Sequence, residues 1–129
     1  MMQQISIYLT SIILGIMLFF SFVVAPVTFT ALNEENARKF IRKIFPYYYI
    51  VNLVISFSVL ILFIYIKMFS LNFYLMLVIT LLFALSNFLL MPLINKFRDN
   101  NQKKKFEFSH LVSVVINFAQ MIILVIILI

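Results

Sequence analysis

The stretch LNFYLMLVITLLFALSNFLLMPLI, residues Leu71–Ile94, decides the fold of this chain. It has 24 residues and no Asp, Glu, Lys or Arg. A helix that rises about 1.5 Å per residue needs about 20 residues to cross roughly 30 Å of hydrocarbon. Three further uncharged runs have comparable lengths, at residues 5–30, 47–66 and 108–129. Because helices pair all their backbone groups internally, we predict an all-α integral membrane four-helix bundle, with one domain over residues 1–129.

The composition excludes an ordinary water-soluble enzyme. Of the 129 residues, 65% are apolar and 11% are charged, whereas a soluble domain averages roughly 45–50% and about 25%. A soluble domain of this length has too little interior for so much apolar side chain, so we expect the excess to face lipid. The chain has no Cys, which excludes disulfides and thiolate metal sites. The first run has no preceding Lys or Arg and exceeds the apolar part of a signal peptide, so we expect it to be retained.

The distribution of basic residues predicts the orientation. Four Lys and Arg lie between the first and second runs and five lie between the third and fourth, against Lys67 alone between the second and third. With four spans, the two basic segments fall on one side of the membrane, and the positive-inside rule places that side in the cytoplasm. We therefore expect a multi-pass protein of the cytoplasmic (inner) membrane with both termini outside the cytoplasm.

The net charge of +6 has a membrane explanation. Basic segments beside a membrane attract anionic headgroups, so we expect membrane lipids, with anionic headgroups at the cytoplasmic face, as partners. We expect no nucleic acid as a partner. A homo-oligomer or a membrane-protein partner is left open by the sequence.

A short amphipathic helix is predicted over residues 34–45. Asn33 is a suitable N-cap, and the acidic side chains of Glu34 and Glu35 in the first turn interact favourably with the positive end of the helix dipole. Apolar residues follow at helical spacing, with basic residues on the other side, as in helices that lie in the membrane interface. Pro46 would end this helix and begin the second span. Its function would be that of a gate, a lipid sensor or a simple elbow.

Polar residues recur at a similar depth in all four predicted helices. At helical spacing, those on the second, third and fourth helices each form a single stripe, and an unpaired amide in hydrocarbon costs several kcal/mol. We therefore expect these stripes to face the bundle axis, with Asn87 opposite Asn117. They form either a polar pocket open to the cytoplasm or hydrogen bonds between helices. The pocket candidates are Ser21, Asn52, Ser56, Asn87, Asn95, His110, Ser113, Asn117 and Gln120.

Catalytic chemistry has little support in the sequence. His110 is the single histidine, and Glu107 lies three residues before it, so the two can meet on one helix face and tune a proton acceptor. No paired carboxylates and no nucleophile beside a base occur within the spans, so we assign no catalytic residue. We expect no metal and no cofactor, although a His–Met haem site with Met91 or Met121 remains conceivable by ligand type.

The function expected first is a non-enzymatic binding or accessory protein whose axial pocket takes a small polar or amphipathic molecule or a partner helix. The alternative is a small oligomeric transporter or permeation unit, because four helices enclose little space. A third hypothesis is a membrane oxidoreductase that uses His110.

Several motifs resemble a known family. They are Gly15, Phe19–Pro26 and Phe29; Ala37, Phe40 and Ile44–Tyr48; and Asn87, Pro92–Asn95, Arg98, Asp99, Phe108, His110, Ser113 and Asn117. Together they resemble the transmembrane protein 205-like family of small membrane proteins. The resemblance implies four helices with an intervening amphipathic segment, and an activity that is largely unassigned. The last hairpin also resembles the cofactorless anthrone-oxygenase-like membrane proteins, but it lacks their Trp before and Arg after the late His.

Overall fold

A computed structural model describes all residues, Met1–Ile129. The chain forms four helices, each long and apolar enough to cross a membrane: α1 (Met2–Ala31), α2 (Glu34–Tyr65), α3 (Leu71–Asp99) and α4 (Lys103–Leu128). This confirms the predicted all-helical architecture with four candidate spans. The helices extend beyond the uncharged runs at several ends, because a helix continues into polar sequence once its backbone hydrogen bonds are established.

The predicted break at Pro46 is wrong. Asn33 caps α2 as expected, since its Oδ1 accepts a hydrogen bond of 2.9 Å from the backbone N–H of Asn36. The helix then continues through Pro46 to Tyr65, so residues 34–45 form the first turns of α2 and no separate interfacial helix is present. Proline removes a single helical hydrogen bond. Ending a helix leaves several backbone groups without partners, so continuation is the better solution beside a membrane.

The four helices pack in a ring. Helices α1 and α3 each lie against both α2 and α4. The core that they enclose is apolar, with Ile13, Met17, Val59, Phe83 and Leu124 fully buried. Large apolar side chains also cover the outside, where Phe88 and Ile122 are 66% and 61% exposed. Such an outer surface fits a hydrocarbon environment, as the composition indicates.

Two helices contain a π-helical segment that the sequence analysis did not predict. These segments are Phe20–Val24 in α1 and Ser86–Leu90 in α3. In each helix one further residue follows and then a proline, Pro26 or Pro92. Because proline donates no hydrogen bond and its ring crowds the carbonyl one turn earlier, a local π adjustment allows the helix to continue. Helices α1 and α3 thus share the same local feature, a π-helical segment just before a proline, which the sequence did not lead us to expect.

Two tight turns join the helices at α2–α3 and α3–α4. Lys67 and Asn101 adopt left-handed conformations with φ of 55°. The next backbone N–H in each turn, of Met68 or Gln102, donates back to a carbonyl five residues earlier, at 2.9 Å. This is the Schellman pattern, which usually uses glycine at the left-handed position. It closes both turns in a chain whose single glycine lies elsewhere.

Candidate functional site

The polar residues predicted to form one axial pocket separate into two groups. The first group is a hydrogen-bonded network inside the bundle. The Nδ2 group of Asn117 in α4 donates to Oγ of Ser21 in α1 at 2.9 Å, and the hydroxyl of Tyr48 in α2 donates to Oδ1 of Asn117 at 2.7 Å. A single amide thus links three helices and uses both its donor and its acceptor in doing so.

Three more candidates are fully enclosed. Asn52 and Ser56 donate to carbonyls of their own helix, at 2.9 and 3.0 Å. Gln120 in α4 donates to the carbonyl of Ile79 in α3 at 3.2 Å. The exposed fraction of each of these side chains is 1% or less, so none of them lines a space that a ligand could enter. Of the three, Gln120 alone joins two helices. Oδ1 of Asn52 is the one atom among them that is buried without a partner.

Asn87 does not meet Asn117. The amide of Asn117 is occupied by Tyr48 and Ser21. Asn87 is half-buried on α3 and its side chain makes no hydrogen bond, although Ser86 beside it is buried. Ser86 and Asn87 are one residue apart on α3, and of these two side chains it is that of Ser86 that turns toward the bundle interior.

The second group lies in an open cleft at the end of the bundle that carries the α1–α2 and α3–α4 connections, here termed the basic end. The cleft has a volume of about 670 Å³ and lies between the first turns of α2, the last turns of α3 and the first turns of α4. Asn95, His110 and Ser113, all predicted candidates, line it. A volume of this size is within the range of small-molecule sites, about 300–1,000 Å³.

Charged side chains form the rim of the cleft. Arg42 of α2 donates to a carboxylate oxygen of Asp99 in α3 at 2.8 Å, which ties the two connections together. Arg38 pairs with Glu34, and Lys39 pairs with Glu35 one helical turn away. Each carboxylate of the rim therefore has a basic partner.

Arg98 is the exception among the basic residues of the rim. It makes no ion pair, and its Nε is buried without a hydrogen-bond partner. Its guanidinium carbon lies 4.6 Å from the centre of the Phe106 ring in α4, a distance at which a cation is attracted to an aromatic face. Its Nε–H is enclosed, whereas its two terminal amino groups are accessible and make no hydrogen bond within the chain.

His110 continues this stack. Its ring lies nearly parallel to that of Phe106, at 8° and with centroids 5.9 Å apart. The predicted contact between Glu107 and His110 is not formed. A carboxylate oxygen of Glu107 lies instead 3.9 Å from Nζ of Lys103, one turn earlier. Arg98 and His110 thus both lie against the Phe106 ring along the wall of the cleft.

The inner part of the cleft is largely apolar, with Ser113 as a polar residue at that depth. Its lining includes Ile41, Phe45, Met91 and Ile94, and Met91 and Ile94 are buried. Phe45 lies two turns deeper along α2 than Arg38, about 10 Å at the helical rise. The cleft therefore joins an apolar inner end to a charged rim, and this arrangement suits a molecule with an apolar tail and a charged head. No group of three His, Asp or Glu side chains is placed to hold a metal ion.

The arginines of this site are not among the pocket candidates predicted from the sequence. The basic residues were interpreted as determinants of membrane orientation and as contacts for anionic headgroups, so Arg38, Arg42 and Arg98 were not considered as residues of a pocket. A usable signal existed in their positions, because Arg38 and Arg42 share one face of α2 at i, i+4 and Arg98 directly follows the apolar run of α3.

Comparison with known proteins supplies a family but no activity. No curated protein and no solved structure matches the chain. One family model, described as a domain of unknown function (DUF4149), matches residues 8–103, which include most of α1, all of α2 and α3, and the start of α4. Since the match covers well over half of the sequence, this four-helix membrane protein belongs to the DUF4149 family.

Proposed function

We propose that this protein is a non-enzymatic binding or accessory protein of the cytoplasmic membrane, whose cleft at the basic end takes an amphipathic molecule. The observation that carries the proposal is the continuity of an apolar inner wall, with Met91 and Ile94, and a charged rim, with Arg42 and Arg98. The resemblance to the transmembrane protein 205-like family agrees with a small membrane protein of this kind and adds no reaction to it.

The proposed orientation puts the basic end in the cytoplasm and both termini on the other side. Its support is the strong bias of Lys and Arg toward the α1–α2 and α3–α4 connections. Alkaline phosphatase fused after Ile129 should therefore be active in cells, because it folds only outside the cytoplasm. The same enzyme inserted after Asn101 should be inactive. The reverse pair of activities would overturn the orientation.

Binding in the cleft can be measured with a single tryptophan, because the chain contains none. In a Phe45→Trp variant the indole lies at the inner end of the cleft, and in a Phe88→Trp control it lies on the outer surface of α3. We expect a short-chain diacyl lipid with brominated tails to quench the Phe45→Trp emission along a saturating curve in detergent micelles. Quenching of Phe88→Trp should instead rise in proportion to the lipid content of the micelle. A proportional rise at both positions would contradict the proposed binding site.

A small oligomeric transporter is the second candidate. The two π-helical segments before Pro26 and Pro92 favour it, because π turns inside helices often mark functional or moving positions. A transporter must move its solute across the bilayer of a proteoliposome, whereas a binding protein only retains it. The third hypothesis, an oxidoreductase that uses His110, has no support from a Glu107 contact, because His110 lies against Phe106.

A further inference from the structure

We infer that the cleft holds the phosphate group of its ligand on the guanidinium of Arg98. This inference rests on the proposed binding function and specifies the chemistry of the ligand. It starts from an imbalance in the rim. Arg38, Lys39 and Arg42 each have a carboxylate partner, and Arg98 has none.

The surroundings of Arg98 make that imbalance unfavourable. Arg38 and Arg42 line the same cleft as Arg98 and carry the same positive charge, and Glu34 on the same rim is already paired with Arg38. Arg38 and Arg98 also line the small neighbouring depression that reaches Lys103. An anion between these side chains would reduce their mutual repulsion and would accept hydrogen bonds from the terminal amino groups of Arg98, which are not enclosed as its Nε is.

Phosphate meets these requirements better than a single carboxylate does. The five N–H donors of a guanidinium form a planar fork that fits phosphate oxygens two at a time. A phosphate has enough oxygens to accept hydrogen bonds from Arg98 and from a second basic side chain at once. Arg38, which lines the same cleft, is placed to be that second donor. With the guanidinium carbon over the Phe106 ring, the two terminal amino groups of Arg98 have no partner in the chain and are the donors for such hydrogen bonds.

Two sources can supply this phosphate: a lipid headgroup or free inorganic phosphate. The apolar inner wall of the cleft would contact the tails of a lipid and would add nothing to the binding of a free ion. The two sources therefore predict different affinities in the same cleft, with the lipid phosphate bound much more tightly.

The Phe45→Trp reporter tests the inference directly. Brominated short-chain phosphatidic acid should quench it at least tenfold more tightly than brominated diacylglycerol with the same tails, and tenfold corresponds to about 1.4 kcal/mol. Adding Arg98→Gln should abolish this preference and leave diacylglycerol binding unchanged. Arg98→Lys, which keeps the charge and loses the planar fork, should retain part of it. Lys96→Gln is the matched control, because Lys96 is exposed on α3 and does not line the cleft; it should behave like the parent.

The outcomes separate the two proposals. Equal binding of phosphatidic acid and diacylglycerol, both saturating, would overturn the phosphate inference and leave the binding function intact. Saturable binding of neither lipid would overturn the binding function itself. An equal loss of preference in Lys96→Gln and Arg98→Gln would mean general attraction to a basic protein and would also overturn the assignment to Arg98. Displacement of phosphatidic acid by inorganic phosphate at millimolar concentration would support the phosphate site and identify the free ion as a ligand.

Discussion

Replacement of Phe83 by alanine should lower the free energy of unfolding of this protein by about 3 kcal/mol, at the lower end of the range for buried phenylalanine. Phe83 is the largest fully buried side chain in the structure, with no exposed surface. It lies on α3, which packs against both α2 and α4. Its removal would leave a cavity at the centre of the bundle, and the surrounding helices can close only part of it.

The environment determines the size of this effect. In a soluble protein the loss would include transfer of the ring from core to water. Between helices in a membrane that contribution is missing, since lipid tails are as apolar as the core. What remains is the loss of dispersion contacts in a close-packed interior. For this reason we expect a value near the lower limit observed for buried aromatic residues rather than the upper one.

Phe88→Ala is the matched control for Phe83→Ala. Phe88 lies on the same helix and its side chain is 66% exposed, so it contacts lipid or detergent in both the folded and the unfolded state. We expect its replacement to change stability by less than about 0.5 kcal/mol, as for substitutions outside packed regions. Reversible unfolding in mixed micelles, followed by circular dichroism, measures both variants. Similar losses in the two would contradict the arrangement of α3 in the bundle.

The four-helix architecture could be predicted because the hydrocarbon of the membrane, as the solvent, requires it. Long uncharged runs such as Leu71–Ile94 must be helical in hydrocarbon, and this argument needs no knowledge of tertiary contacts. Helix ends depend on local competition instead. At Pro46 the loss of one hydrogen bond costs less free energy than ending the helix would. The predicted helix boundary at Pro46 is therefore wrong, whereas the predicted N-cap at Asn33 is confirmed.

The candidate site was less predictable, because it depends on which face of each helix turns inward. Helical spacing placed Asn87 and Asn117 on polar stripes but could not show that Ser86, one residue away, is the buried one. The π turn at Ser86–Leu90 changes the helical register at this very position. A uniform period of 3.6 residues therefore assigns residues beyond the π turn, toward the basic end, to the wrong face of the helix.

The arginines of the cleft illustrate a different limit. Positive charge serves both membrane orientation and ligand binding, and composition cannot show which basic residues serve which role. The distinction requires the partners of each side chain. Arg42 has Asp99 and Arg38 has Glu34, so only the structure could identify Arg98 as the unpaired residue.

Replacement of Asn117 by leucine should lower the free energy of unfolding by about 2 kcal/mol, within the 1–3 kcal/mol that an unsatisfied buried polar group costs. The substitution removes two hydrogen bonds, which average about 0.6 kcal/mol each between membrane helices. It also leaves the Tyr48 hydroxyl and Ser21 without the partner that joined α2 and α1 to α4. Thermal unfolding in the same micelles measures the loss, and the double variant with Tyr48→Phe should lose less than the sum of the two single losses.

Asn87→Leu gives the opposite expectation and therefore the sharpest control for Asn117. It is the same chemical change at a similar depth, but the Asn87 side chain makes no hydrogen bond and is only half-buried. Removing an unpaired amide from hydrocarbon is favourable, so this variant should be as stable as the parent or more stable. If Asn87→Leu destabilised the protein as much as Asn117→Leu, Asn87 would have a partner in the membrane that this chain alone does not supply. If neither variant changed stability, the network of Ser21, Tyr48 and Asn117 would not hold the bundle together.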